Sequence, residues 1–185
     1  MAKKLRLSAL ILVLLALTVS CSITPTKART IDNEYFSFTI PDGWKTKEEV
    51  FGADAAAGQE FKGLGVQELV FIQYPSGKGQ GEVFFVVASS PVATGEDLES
   101  RFIRVYQSAV PEIEDASQAR FEKGQLAGYE ITYRRPWGEP WWQFRDVWLE
   151  RNGMVYVLSI YAAPGTLDEY SEPYQQILDS FQFKN

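Results

Sequence analysis

The chain has no histidine, and its one cysteine in 185 residues is Cys21. Without histidine the commonest general base near neutral pH is missing, and with it the Ser-His-Asp and Cys-His triads and histidine-ligated metal sites. A single cysteine excludes an intrachain disulfide. A body of about 150 residues buries enough surface to be stable without one. Carboxylate pairs, lysine nucleophiles and Ser/Lys dyads remain as catalytic routes. Ser76-Gly77-Lys78 is the one dyad-like fragment, and it reads as a flexible turn. Gly77, Gly79 and Gly81 do not form a phosphate loop, because no Gly-Lys-Ser follows and the segment leads into a strand rather than a helix. Glu112, Glu114 and Asp115 cluster without the glycine bend of a calcium loop and read as a solvated loop. Asp168, Glu169 and Glu172 fit stabilisation of a helix N-terminus. The expectation is a protein that is not an enzyme and holds no cofactor or metal.

Long apolar runs are also scarce. The one present is Leu7 to Val19, preceded by Lys3, Lys4 and Arg6. It is too short to span a bilayer, which takes roughly 20 apolar residues, and matches the h-region of a secretory signal. It ends in Thr18-Val19-Ser20-Cys21, which resembles a bacterial lipobox, with Thr18 where that pattern favours Leu, Val or Ile. Residues 1–20 are then a signal peptide and Cys21 carries the lipid, acyl chains of the palmitate kind included. The alternative is an ordinary signal peptide cut near Ser20 with an incidental cysteine. The chain carries 18 basic and 24 acidic residues; removal of Lys3, Lys4 and Arg6 leaves 15 against 24, a charge of −9. So acidic a body disfavours nucleic acid and anionic lipid as partners. Residues 21–33 read as a flexible linker, and residues 34–185 as a single domain without internal repeats.

Within that domain Phe36, Phe38 and Ile40 alternate with Ser37 and Thr39 as a half-buried strand does. Pro41-Asp42-Gly43 turns the chain ahead of Trp44. A short helix is expected between Glu48 and Ala57, then strands over Glu68 to Tyr74 and Glu82 to Ser89. The run Val83 to Val87 is apolar on both faces, as in a central strand. A helix capped at Thr94 carries Leu98, Phe102, Val105 and Ala109 and stops at Pro111. Arg120 to Lys123 and Ala127 to Arg135 are strands, the latter with Tyr129, Ile131 and Tyr133 on one face. Trp141 to Arg151 and Met154 to Tyr161 pair across Asn152-Gly153, a strong hairpin signal. The last helix places Leu167, Tyr170, Tyr174, Ile177, Leu178 and Phe181 on one stripe, with Pro173 either kinking it or starting its second half after Ser171. The order gives an α+β fold, an antiparallel sheet flanked by helices.

Phe36-Ser37-Phe38-Thr39-Ile40-Pro41-Asp42-Gly43-Trp44 resembles the signature near the start of PsbP-like domains. The ending is similar as well: a hairpin with Tyr156 in its second strand, then a helix closing on Ile177-Leu178-Asp179-Ser180-Phe181. The resemblance spans most of residues 33–183. It implies an α/β/α sandwich around an antiparallel sheet, shared with the Ran-binding Mog family and with many bacterial lipoproteins. It also implies docking rather than catalysis.

Four of the five tryptophans lie between Trp137 and Trp148. Trp141 and Trp142 are neighbours, so on a strand they point to opposite faces. Arg134, Arg135, Trp137 and Trp141 are the candidate protein-binding residues, since exposed tryptophan beside arginine has the composition of an interaction hot spot. The alternative for the tryptophans is that they cover the second face of the sheet under a helix. Two functions follow from these residues. One is a non-catalytic docking or assembly module, lipid-anchored on the extracytoplasmic side of the cell membrane, whose partner is a membrane protein complex. The other is a small-molecule binder or a carboxylate-dependent hydrolase. The lipid reading predicts that Cys21→Ser either releases the protein into the aqueous compartment or leaves an uncleaved precursor, as read by membrane fractionation. A variant that is correctly cleaved and still membrane-bound would exclude the anchor.

Overall fold

The computed structural model describes residues 29–52, 60–61, 66–74, 82–104, 113–136 and 141–184. Cys21 and the signal segment, the turn from Ser76 to Gly81, Val105, Ala109, Glu112 and Trp137 lie outside the described residues. The elements run β1 (Arg29–Asp32), β2 (Phe36–Ile40), β3 (Lys45–Thr46), α1 (Lys47–Phe51), β4 (Glu60–Phe61), β5 (Val66–Tyr74), β6 (Val83–Pro91) and α2 (Leu98–Phe102). They continue through β7 (Glu114–Lys123), β8 (Leu126–Pro136), β9 (Trp141–Arg151), β10 (Met154–Ala162), a 3-10 turn at Leu167–Tyr170, α3 (Ser171–Ser180) and β11 (Gln182–Phe183).

Eight strands form one antiparallel sheet in the order β3-β5-β6-β10-β9-β8-β7, with β4 also pairing β5. The central position of β6 follows from its apolar run: Val83, Phe85, Val86 and Val87 are all buried, from both faces. The β9–β10 hairpin closes through Asn152 (φ 52°) and Gly153 (φ 72°), the two left-handed residues that a tight turn matched to strand twist requires.

One face of this sheet packs against α3 and a second, three-stranded sheet, β1-β2-β11. Phe36, Phe38 and Ile40 point from β2 into this layer and meet Leu158 and Ile160 of β10 and Tyr174, Ile177, Leu178 and Phe181 of the closing helix region. Tyr174 is wholly buried, and its hydroxyl donates to the Leu158 carbonyl at 3.1 Å. Burial pushes that phenol well above its ordinary pKa. The opposite face carries Val86, Ile131, Tyr133, Phe144, Trp148, Val155 and Tyr161, with Phe102 of α2 packed on them. Phe51 of α1 lies 6.2 Å from Phe71 on that same face. Helices thus flank the sheet on both sides, the α+β sandwich implied by the sequence.

Several boundaries differ from the sequence reading. The linker does not reach Asn33, because Arg29–Asp32 pairs antiparallel with β2. Its side chains are mostly exposed, so no hydrophobic alternation marked it. It is held by backbone bonds and by Arg29, which donates to the Trp44 carbonyl at 3.0 Å and pairs with Glu49 at 2.5 Å. The cap of α2 is Asp97, accepting from the Ser100 N–H at 2.7 Å, not Thr94. Glu114 and Asp115 open a ten-residue strand instead of lying in a solvated loop, and both pair with Arg134. The last helix begins at Ser171, so Pro173 sits in its first turn, where no backbone donor is lost.

Gly128 of β8 lies opposite Leu149. A Cβ there would fall 1.9 Å from the Trp148 carbonyl oxygen, a backbone atom held by two neighbouring strands. Gly128→Ala is expected to lower unfolding stability by about 1–3 kcal/mol through this overlap, measured by urea denaturation. Unchanged stability would mean that the β8–β9 ladder yields easily at this point.

Candidate functional site

The ends of β8 and β9 bring the candidate residues together, and the register sorts them. Arg135 lies across from Trp142, Arg134 across from Gln143, and Pro136 across from Trp141. Residues paired in this way share a face. Arg134 and Trp141 therefore lie on the face that carries α3, and Arg135 and Trp142 on the other.

On the second face, Phe84, Tyr161, Phe144 and Tyr133 form one transverse row across β6, β10, β9 and β8. Successive ring centroids are 5.2, 4.9 and 5.0 Å apart, and the planes are inclined by 28°, 18° and 7°. The Arg135 guanidinium lies 4.5 Å from the centre of Phe144. Trp142 adds to the row from one side, 5.6 Å from Phe84 and 6.1 Å from Tyr161. Tyr133 donates to Oδ2 of Asp146 at 2.9 Å, and Asp146 is fully buried. Burial raises the Tyr161 phenol far above its usual pKa. Arg135 is thus stacked on the aromatic layer.

The other face changes character from one strand to the next. It is apolar over β10 and over Val147 and Leu149 of β9, and becomes charged toward the Trp141 end of β9 and along β8 from Glu130 to Arg134. Trp141 is half-buried, and Gln143, Arg145, Thr132, Glu130 and Arg134 extend from it. Arg134 donates to Glu114 at 2.8 Å and reaches Asp115 at 2.9 Å. Arg145 stands 3.9 Å from both Glu130 and the exposed Asp168. Ser117 and Thr132 share a hydroxyl hydrogen bond of 2.6 Å. The result is a strip of side chains of both charges with one tryptophan at its end. No group of three or more potential metal ligands occurs among the described residues.

Of the four residues singled out in the sequence, the structure joins Arg134 with Trp141 and separates Arg135 from them; Trp137 lies outside the described residues. The sequence reading missed Arg145 and Glu130. Both alternate as polar residues with Phe144, Asp146 and Ile131, a pattern that also fits an ordinary solvated strand face. It also missed a part-buried ion pair between Lys47 and Glu68, 2.8 Å apart. That pair falls in the stretch with the weakest periodicity.

No family model matches the chain, and no curated protein matches it. Solved structures do. Cyanobacterial PsbP (CyanoP) from Synechocystis sp. PCC 6803 superposes with a TM-score of 0.55 at 14% identity, covering 90% of this chain and 99% of that one. LpqN, described as involved in cell envelope biogenesis of Mycobacterium tuberculosis, gives 0.52 at 10% identity and covers 87% of both chains. PA94 from Pseudomonas aeruginosa, a protein of unknown function described as a putative regulator, gives 0.51 at 15% identity, with 77% and 88% covered. At such identities the likeness is one of fold, and the fold is PsbP-like.

Proposed function

We propose that the chain is a non-catalytic docking or assembly module, tethered by lipid on Cys21 to the extracytoplasmic side of the cell membrane and bound there to a membrane protein complex. The observation that carries this reading is the strip at the ends of β8 and β9, where half-buried Trp141 adjoins Arg134, Gln143 and Arg145. A tryptophan flanked by charges of both signs provides an anchor and a polar rim on one surface. The missing histidine, and Cys21 as the only thiol, agree with a role that needs no nucleophile or general base. The fold shared with LpqN, a protein described as acting in cell envelope biogenesis, agrees with an envelope location. Arg135 contributes by holding the aromatic layer on the reverse side of the sheet from the strip; Trp137, the fourth candidate from the sequence, is tested alongside Trp141.

Chemical crosslinking and recovery of the lipidated protein from membranes tests this. Trp141→Ala and Trp137→Ala should each reduce recovery of the partner complex, while stability falls by no more than about 1 kcal/mol. Trp148→Ala is the contrasting variant: that side chain is 2% exposed, and its loss should cost roughly 3–5 kcal/mol. Full recovery of the same complex by both Trp141→Ala and Trp137→Ala would refute the assignment of this surface.

A further inference from the structure

A cavity of about 170 Å³ opens at the far edge of the large sheet, between β1, the corner from β3 into α1, and β5. Lys47 and Glu68 line it, together with apolar walls from Ile31, Leu69, Val70 and Phe71. The Lys47 ammonium donates to Oε1 of Glu68 at 2.8 Å, with the two side chains 16% and 8% exposed. It also lies 5.9 Å from the centre of the Phe71 ring.

This grouping depends on an irregularity in β5. Residues 68 and 71 are an odd number of positions apart, and in a regular strand they would face opposite ways. A bulge between Glu68 and Val70 breaks the register with β6, so that Glu68 lies across from Ala88 and Phe71 across from Val86, on one face. Bulges recur next to binding sites because they re-aim a side chain in this manner. The corner carrying Lys47 is fixed by a capping box, in which the Glu49 carboxylate accepts from the Thr46 N–H at 2.7 Å.

A buried ion pair loses much solvation, and it is well compensated only when its remaining donors and acceptors are used. Among the described residues, Oε1 of Glu68 is the one acceptor bonded to the Lys47 ammonium, which has three donors. Both members of the pair, the Glu68 carboxylate and the Lys47 ammonium, line the cavity. A cation would match only the first of these, and an anion only the second. A zwitterion matches both and adds no net charge.

We propose that this cavity binds a small zwitterion of the α-amino-acid class with an aliphatic side chain. Its carboxylate accepts from Lys47, its ammonium donates to Glu68, and its side chain lies against Ile31, Leu69 and Val70. This site is on the opposite edge of the sheet from the docking strip, and neither assignment depends on the other.

Calorimetric titration of the full chain in detergent tests the proposal, with L-leucine as probe and with 3-methylbutylamine and 4-methylpentanoate as analogues lacking one charge each. Leucine should bind saturably. Each analogue should bind at least ~10-fold more weakly, the expected effect of losing one charge-assisted contact. Lys47→Met and Glu68→Gln should each weaken leucine binding by a similar factor. Because either variant alters a part-buried pair, the wild-type protein is also examined by methyl NMR: leucine should shift the Ile31, Leu69 and Val70 methyl signals along a saturable curve. No saturable leucine binding, analogues that bind as tightly as leucine, or methyl shifts confined to other residues would each overturn the proposal.

Discussion

The row of rings Phe84, Tyr161, Phe144 and Tyr133 ties four adjacent strands into one register, and most of the molecule is arranged around it. A slip of one residue in any of these strands would turn its ring to the opposite face and break the row. Each stacked pair contributes on the order of 0.5–1.5 kcal/mol beyond the area it buries. The same register places Leu158, Ile160 and Val147 on the reverse face, beneath α3 and the small sheet. One constraint therefore orders both layers. The Asn152-Gly153 turn supports it by fixing the β9–β10 pairing locally.

Away from this centre the support falls off. Seven consecutive residues at the start of β7 are exposed, and the strand is held mainly by its ladder with β8 and by ion pairs such as Arg134 with Glu114. The ends of β8 and β9 thus project from a rigid row into a lightly covered margin. The proposed docking surface would benefit from that combination: the backbone positions of Trp141 and Arg134 are set by the row, while their side chains remain at the edge of the solvent. On the far side, β3, β4 and the bulged β5 form a second irregular margin, where half-buried Lys47 pairs with buried Glu68.

The central architecture was legible in the residues because it rests on periodicity. Phe36, Phe38 and Ile40 alternate, and all three are buried. The apolar run of Val83 to Val87 announced a strand covered on both faces. Tyr174, Ile177 and Leu178 recur at helical spacing, and all are core. What escaped detection lacks an apolar pattern. The strand Arg29–Asp32 forms through backbone pairing with β2, and Glu114 and Asp115 belong to a strand whose side chains bury little. The division of Arg134 from Arg135 was implicit in their adjacency, but which arginine joined Trp141 depended on the pairing across the ladder. Glu68 was hidden for a further reason, since a bulge changes the face of a side chain without leaving a mark in the hydrophobic pattern.

Stability is concentrated in the ring-bearing strands and declines toward β7. Native-state amide hydrogen exchange measures this directly. Amides of β6, β9 and β10 should exchange slowest, near the rate set by global unfolding, with those of β7 exchanging much faster through local opening. Protection in β7 equal to that in β10 would contradict the claim.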